Sequence, residues 1–311
     1  MASLKEIKGR IASVGSTLKI TSAMKMVASA KLHKAQQAIG NMLPYQKQLY
    51  RILMDLLATA SAEGTGMRPE SAELMASRPV GKVAIVAFSS NSSLCGAFNS
   101  NVIKQALAVV GEYRSQGLAD SDITVYSVGR KMADSMRKAG FQSPKDYSRM
   151  AETPSYEAAA ELAQELLDGF RLGRFDKVEL VYNHFKSTAS QPTTRQTYLP
   201  LVLSDAAPGL TLKRPEVVEQ DLPHPRNPED LLIEPSVDEL IDTLLPKVVR
   251  LRIYTTLLDS NAAEHAARTV AMQTATDNGN DLLAELTLEY NKGRQQKITS
   301  EILDIVGGSL Q

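Results

Sequence analysis

Apolar and small side chains recur at alternating intervals of three and four residues over the first forty positions. This spacing is the heptad seam of a helix that packs along another helix. It predicts a helix up to about Met42, and Pro44 predicts a kink or a restart before a second amphipathic stretch that ends near residue 60. The seam positions are Leu4, Ile7, Ile11, Val14, Leu18, Thr21, Ala28, Leu32, Ala35, Ile39 and Met42.

Beyond residue 80 the pattern becomes strand-like. Short β-branched runs typical of strands occupy residues 82–89, 122–129, 177–185 and 196–203. Helical patterns lie between these runs, near residues 99–117, 130–140 and 155–171. Alternation of strand and helix predicts an α/β layer.

Helical periodicity returns from Val237 to Val306, and Pro246 is expected to end a short helix or to kink a longer one. A helix from Lys247 to Val306 would be roughly 90 Å long, whereas a compact globule of this chain would be only ~50 Å across. The stripe along this helix comprises Leu244, Val248, Leu251, Thr255, Leu258, Ala262, Thr269, Met272, Leu283, Leu286 and Tyr290. We expect it to pair with the N-terminal helix. In the alternative, both helices lie across one face of the α/β layer as ordinary cover helices.

The predicted fold class is therefore α/β, with a long antiparallel coiled coil of the N- and C-terminal helices and an inserted Rossmann-like α/β domain. The predicted segments are an N-terminal coiled-coil helix (1–60), a linker (61–80), the α/β domain (81–205), a proline-rich loop (206–236) and a C-terminal coiled-coil helix (237–311).

The formal net charge of zero hides an asymmetry between the two ends. Residues 1–60 hold nine Lys and Arg against two acidic residues, whereas residues 237–311 hold eleven acidic and seven basic residues. We expect these opposite balances to attract the two helices along their contact. The lone Cys95, the absence of a secretory pattern and the shortness of the apolar runs predict a chain on the cytoplasmic side, without a membrane span.

Little in the sequence predicts chemistry. The turn SSNSSLCGAFNS follows a strand and precedes a helix, but it lacks the glycine patterns that bind phosphate. The four histidines show no metal spacing. The basic N-terminal helix lacks the interleaved aromatic residues of a nucleic-acid site, so an acidic protein partner explains it better. No catalytic residue, cofactor or metal is predicted.

Three stretches together resemble the gamma subunit family of rotary ATP synthases: KEIKGRIASVGSTLKITSAMKMVASAKLHKAQ, SLCGAFN, and the block from EHAARTVAMQ to ILDIVGG. The similarity is strong over 1–60 and 240–308 and loose between them. It implies a non-catalytic central-stalk rotor inside a ring of alpha and beta subunits. Such a rotor couples proton flow to ATP synthesis, and its foot meets the c-ring and the epsilon subunit. The implied location is the cytoplasmic face of the bacterial inner membrane, as a peripheral subunit.

The resemblance also implies contact residues. Those matching Arg294, Gln295 and Thr299 bind a polar loop of a beta subunit, and Met24 and Lys25 face its acidic lever loop. The apolar C-terminal end would sit in a collar at the top of the ring. Non-functional alternatives remain open. Arg294, Gln295 and Thr299 could be solvated helix surface, and Met24 could be a packing residue.

One departure from the family concerns the loop before Leu94. Asn91, Ser92 and Ser93 stand where the family usually has Asp-Arg-Gly, so contacts assigned to those charges do not carry over. Two further functions remain open: a nucleotide-handling α/β enzyme that dimerises through its terminal helices, and a passive coiled-coil tether.

Overall fold

The computed structural model describes residues 3–63, 68–201 and 233–308. Seven α-helices are described: α1 (Leu4–Glu63), α2 (Pro69–Glu73), α3 (Phe98–Ser115), α4 (Arg130–Lys138), α5 (Ser148–Glu152), α6 (Tyr156–Arg171) and α7 (Val237–Gly308). Four strands are described: β1 (Val83–Phe88), β2 (Ile123–Val128), β3 (Lys177–Asn183) and β4 (Thr193–Leu199). Most of the predicted proline-rich loop lies outside the described residues.

Both terminal helices are continuous through a proline. Pro44 lies inside the 60 residues of α1, and Pro246 lies inside the 72 residues of α7. A proline removes one backbone hydrogen bond, but apolar residues of the following turns, such as Leu49, Leu53 and Val249, are buried and hold both segments in place. The prediction of a restart at Pro44 is therefore wrong.

The sheet has the order β2-β1-β3-β4. Strands β2, β1 and β3 are parallel, and β4 pairs antiparallel with β3. All six residues of the central strand β1 are buried, as expected for a parallel strand covered on both faces. Strand β4 starts three residues earlier than the expected run at 196. Its first residues, Thr193 to Arg195, are polar and half-buried, so hydrophobicity did not reveal them.

Helices cover the sheet on both faces. On one face α3 and α4 pack through Val102, Val109 and Met132. On the other face α6 packs together with residues 49–60 of α1 and residues 241–257 of α7. In this part of the chain the terminal helices are therefore cover helices, as the alternative interpretation expected.

The chain divides into two compact units: residues 31–267, which hold the sheet, and residues 1–30 with residues 268–311. In the second unit, α1 and α7 pair with each other. The Thr276 hydroxyl donates to the Thr21 hydroxyl oxygen at 2.9 Å, Leu18 lies against Gly279, and Leu4 lies against Gly293. Between one contact and the next, the residue number on α7 decreases by as much as the residue number on α1 increases. The two helices therefore run antiparallel, as predicted.

The charges of the two ends do not form the expected contacts. Among the described residues, Lys5, Lys8, Arg10, Lys19 and Lys25 have no carboxylate within 4.0 Å. The helices meet instead through apolar and small side chains, because the seam residues face the partner helix and the lysines on other faces do not reach it. The attraction expected from the opposite net charges is therefore not made by direct ion pairs of these five residues, and the attraction itself stays a prediction.

Two glycines of the paired helices give a test of this packing. A Cβ at Gly279 would lie 2.6 Å from Leu18 Cδ2, whereas a Cβ at Gly15 would meet nothing within 4 Å. We expect Gly15→Ala to raise the free energy of unfolding by up to about 1 kcal/mol through helix propensity, and Gly279→Ala to show no such gain. Urea denaturation followed by circular dichroism measures both, and equal gains would contradict the described pairing.

A buried acid–base pair lies in the sheet-containing unit. The Asp259 carboxylate is 2.6 Å from His184 Nδ1 and accepts the Phe185 N–H at 2.8 Å. The hydrogen bond to Asp259 raises the pKa of His184. Burial raises the pKa of Asp259, and the neighbouring His184 opposes that shift.

The pair predicts a pH-dependent stability. Because the folded-state pKa of His184 is raised, its contribution is complete below about pH 6.5, the ordinary histidine pKa, and is lost as the pH rises through the folded value. Asp259, also raised, acts in the same direction. The free energy of unfolding should therefore fall between pH 6 and 8, and His184→Gln should flatten that slope. Urea denaturation at a series of pH values measures both slopes, and equal slopes in the two proteins would contradict the pairing of His184 with Asp259.

Candidate docking surface on the terminal helix

The last turns of α7 present a mixed polar and apolar face to solvent. Arg294, Gln295 and Thr299 are all exposed. A helix turns about 100° per residue, so these three residues span an arc of about 140°. Ile298 and Ile302, which are 48% and 55% exposed, lie within the same arc. The three predicted residues therefore lie on one face of the helix. Ile298 and Ile302 belong to the same face but were not predicted from the sequence.

This face has no partner helix among the described residues. Leu4, the first residue of α1, lies against Gly293, so α7 continues for 15 residues beyond the last contact of the pair, to Gly308. Ile305, in this extension, is 72% exposed. An isolated helix of this length is marginal in water, and exposed apolar residues at its end mark a docking surface. We call the face formed by Arg294, Gln295, Ile298, Thr299, Ile302 and Ile305 the terminal face.

The polar groups of the terminal face are available for a ligand. Arg294 has no carboxylate within 4.0 Å among the described residues, although Lys297 and Glu301 form a pair at 3.7 Å one turn away. The Thr299 hydroxyl donates to the Gln295 carbonyl at 3.0 Å and retains its lone pairs as acceptors. A guanidinium beside an amide and a hydroxyl fits a partner loop that offers carboxylates and carbonyls.

Met24 and Lys25 form a separate site. Both are half-buried, and the antiparallel pairing places them about twenty residues from Arg294, roughly 30 Å along the helices. Next to them, Met26 and Val27 are 65% and 57% exposed. Val27 is an apolar residue that lies outside the seam of α1. An apolar side chain at a position that the helix pair does not bury is the sequence signal that could have identified this second exposed surface.

The carboxyl edge of the sheet is closed. A Cβ at Gly129, which follows β2, would lie 2.2 Å from the Ser89 carbonyl oxygen, and the Ser89 hydroxyl accepts the Met132 N–H at 2.8 Å. The cavity beside them measures about 10 Å³ and is lined in part by Leu257 and Glu264 of α7. That volume suits one water molecule. A nucleotide does not fit into this cavity.

The loop between β1 and α3 is held by its own hydrogen bonds. The Asn91 side chain accepts the Arg130 N–H at 2.9 Å and donates to the Ser148 carbonyl at 2.8 Å. Asn91 therefore ties the loop to α4 and α5 by neutral contacts.

The parts of the chain that the structure describes contain no group of three or more His, Cys, Asp and Glu side chains placed to bind a metal ion. Within the same residues, every helix is too short or too polar to cross a bilayer.

A four-stranded α/β layer in one unit and an antiparallel pair of the chain's two ends in the other define the class of stalk-type subunits. The family model described as ATP synthase matches residues 3–310. The chain belongs to the ATP synthase gamma chain family. It is a central-stalk subunit of ATP synthase without a catalytic site of its own.

Relatives match along their full length. The ATP synthase gamma chain of Phocaeicola vulgatus is 53% identical over 100% of both chains. That of Bacteroides fragilis is 52% identical, also over 100% of both chains, and that of Flavobacterium psychrophilum is 41% identical over 99% of this chain and 98% of its own.

Solved structures share the fold at low identity. The rotor of Euglena gracilis mitochondrial ATP synthase matches with a TM-score of 0.55 and 18% identity, over 95% of this chain and 98% of that one. The central stalk of Tetrahymena thermophila mitochondrial ATP synthase matches with a TM-score of 0.51 and 18% identity, over 82% and 99%.

Proposed function

We propose that the terminal face of α7 docks inside the ring of alpha and beta subunits and that the chain turns there, coupling proton flow through the membrane sector to ATP synthesis. The observation that carries the proposal is the unpartnered end of α7, with its exposed isoleucines beside Arg294, Gln295 and Thr299. An apolar collar would cover the isoleucines, and a polar loop of a beta subunit would receive the trio.

The same arrangement explains how a chain without a catalytic site acts on catalysis. A rod with different faces cannot contact three beta subunits alike, so it stabilises a different conformation in each. Turning the rod exchanges the three sets of contacts and hence the three nucleotide affinities. Met24 and Lys25, roughly 30 Å from Arg294, would form a second contact with a beta subunit, at its acidic loop.

The remaining partners are proposed for the α/β domain. We infer that it rests on the c-ring together with the epsilon subunit, which places the chain at the cytoplasmic face of the bacterial inner membrane as a peripheral component. Support comes from the Tetrahymena neighbour, whose structure is described as central stalk and c-ring, and from relatives in Bacteroides and Flavobacterium.

Co-expression with alpha and beta subunits tests the proposal. The tagged chain should co-purify with both, and the complex should hydrolyse ATP while the chain alone does not. A variant carrying Ile298→Asp and Ile302→Asp should lose the alpha and beta subunits, because it places charges in the collar. Retention of both subunits by that variant would refute the proposed docking.

A calorimetric titration separates this function from the nucleotide-handling alternative. The isolated chain should release no saturable heat with ATP or NAD, because Ser89 and Gly129 close the edge of the sheet. Micromolar binding of either nucleotide would instead support an enzyme.

A further inference from the structure

Helix α7 is attached to the α/β domain by polar contacts as well as by apolar packing. Hydrogen bonds of residues 249–261 reach β4, α5, α6 and the segment after β3. Four of them run from Tyr198 Oη to the Val249 carbonyl (3.0 Å), from Arg252 Nη2 to the Thr197 carbonyl (2.8 Å), from Phe185 N to Asp259 (2.8 Å) and from Asn261 Nδ2 to the Ala151 carbonyl (3.2 Å).

The groups in these contacts are taken out of water. Tyr198 is fully buried, Asp259 is 2% exposed and Arg252 is 9% exposed. Buried polar groups are costly unless they are hydrogen-bonded. The helix is therefore favoured only where these donors and acceptors meet.

Apolar packing alone would fix the position of the helix less strictly. Leu251, Ile253 and Leu257 bury their side chains against the same domain, and hydrophobic attraction is non-directional. A shift by one residue moves a helix by 1.5 Å and about 100°. After such a shift the Asp259 carboxylate would remain buried but would lose both Phe185 N–H and His184.

Asp259 stands out among the four contacts. Its two oxygens take separate donors, Phe185 N–H and His184 Nδ1, from the segment that directly follows β3. Strand β3 pairs with β1 on one side and β4 on the other. A sideways force on Asp259 is therefore passed directly to the middle of the sheet.

We propose that Asp259, held by His184 and the Phe185 N–H, is the positioning residue that locks α7 to the α/β domain so that helix and domain turn as one body. The proposal rests on the rotor function above. Arg252 and Tyr198 form a second lock between α7 and β4. Arg252 lies about 10 Å from Asp259 along the helix axis.

The stiffness of the joint can be measured in the assembled complex. The complex is immobilised through its beta subunits, and a bead is attached to the α/β domain through Lys104→Cys on the exposed side of α3. Cys95 is 1% exposed and does not compete for the label. At thermal equilibrium, the angular variance of the bead is inversely proportional to the torsional stiffness of everything between bead and ring.

Asp259→Ala should at least double the angular variance, while ATP hydrolysis by the complex changes less than twofold. Glu239→Gln, which removes an exposed carboxylate from the same helix, should leave the variance unchanged. His184→Lys keeps a cation beside Asp259 and should preserve the stiffness, whereas His184→Leu should not.

Asp259→Asn covers the case in which the alanine variant does not assemble. The amide keeps the size of the side chain and an acceptor for Phe185 N–H, but it removes the charge, so the variance should rise by a smaller factor. Wild-type variance in assembled Asp259→Ala or Asp259→Asn complexes would overturn the lock. Failure of the unsubstituted chain to bind the beta subunits would refute the rotor function instead, and the two failures are distinguishable.

Discussion

Replacing Gly129 by alanine is expected to lower the free energy of unfolding by roughly 2–6 kcal/mol. Gly129 has φ 100° and ψ 142°, a region that is almost restricted to glycine, and strain there costs about 1–3 kcal/mol. The new methyl would also lie 2.2 Å from the Ser89 carbonyl oxygen and 2.8 Å from its carbon. These are backbone atoms that cannot rotate away, and overpacking adds about 1–3 kcal/mol.

Gly140→Ala is the matched control. Gly140 also has a positive φ, 94°, but a Cβ there meets nothing within 4 Å. It should therefore show the backbone strain alone, about 1 kcal/mol or slightly more. Chemical denaturation of the three proteins gives the comparison. Equal losses in both variants would mean that the contact between Gly129 and Ser89, and with it the closed edge of the sheet, is wrongly placed.

Replacing Arg294, Gln295 and Thr299 together by alanine is expected to reduce coupled ATP synthesis at least tenfold. Hydrogen bonds to charged groups contribute about 1.5–3 kcal/mol each, and about 1.4 kcal/mol corresponds to a factor of ten. Because the three side chains are exposed in the free chain, the free energy of unfolding should change by no more than about 0.5 kcal/mol. ATP synthesis is measured in membrane vesicles under an imposed proton gradient.

The neighbouring face of the same turns supplies a control of equal composition. Lys292, Gln296 and Ser300 are exposed, and they offer a cation, an amide and a hydroxyl at equivalent heights. Their triple alanine variant should retain most of the coupled activity. If both triple variants retain coupled activity, α7 acts there as a passive tether, and if both lose it alike, the terminal face is not specific. Arg294→Lys should lose part of the coupled ATP synthesis, because an ammonium group cannot form a two-point contact with a carboxylate.

Much of the fold was predictable because its signals are local. The three- and four-residue spacing identified α1 and α7, and the run VAIVAF identified a strand buried on both faces. Strand β4 was placed three residues late because its first half, Thr193 to Arg195, carries polar side chains at an edge of the sheet. The trio on the terminal face came from the family resemblance, and residue patterns alone did not distinguish it from solvated surface.

Contacts between distant segments were not predictable. Opposite net charges at the two ends indicated attraction but named no contacts, and the helices meet through Leu18 against Gly279 and Thr21 against Thr276. The sequence also shows no relation between His184 and Asp259, which lie 75 residues apart and share a buried hydrogen bond.

The sequence by itself determined the secondary-structure elements and the seam that each terminal helix must bury, because hydrophobic period and β-branched runs act within a few residues. Only the tertiary structure decided what each seam meets: the other helix at residues 1–30 and 268–311, and the sheet at residues 49–60 and 241–257. The physical reason is that hydrophobic burial is non-directional. The choice of partner and of register is made by shape, by glycines that permit close approach and by buried hydrogen bonds between residues far apart in the chain.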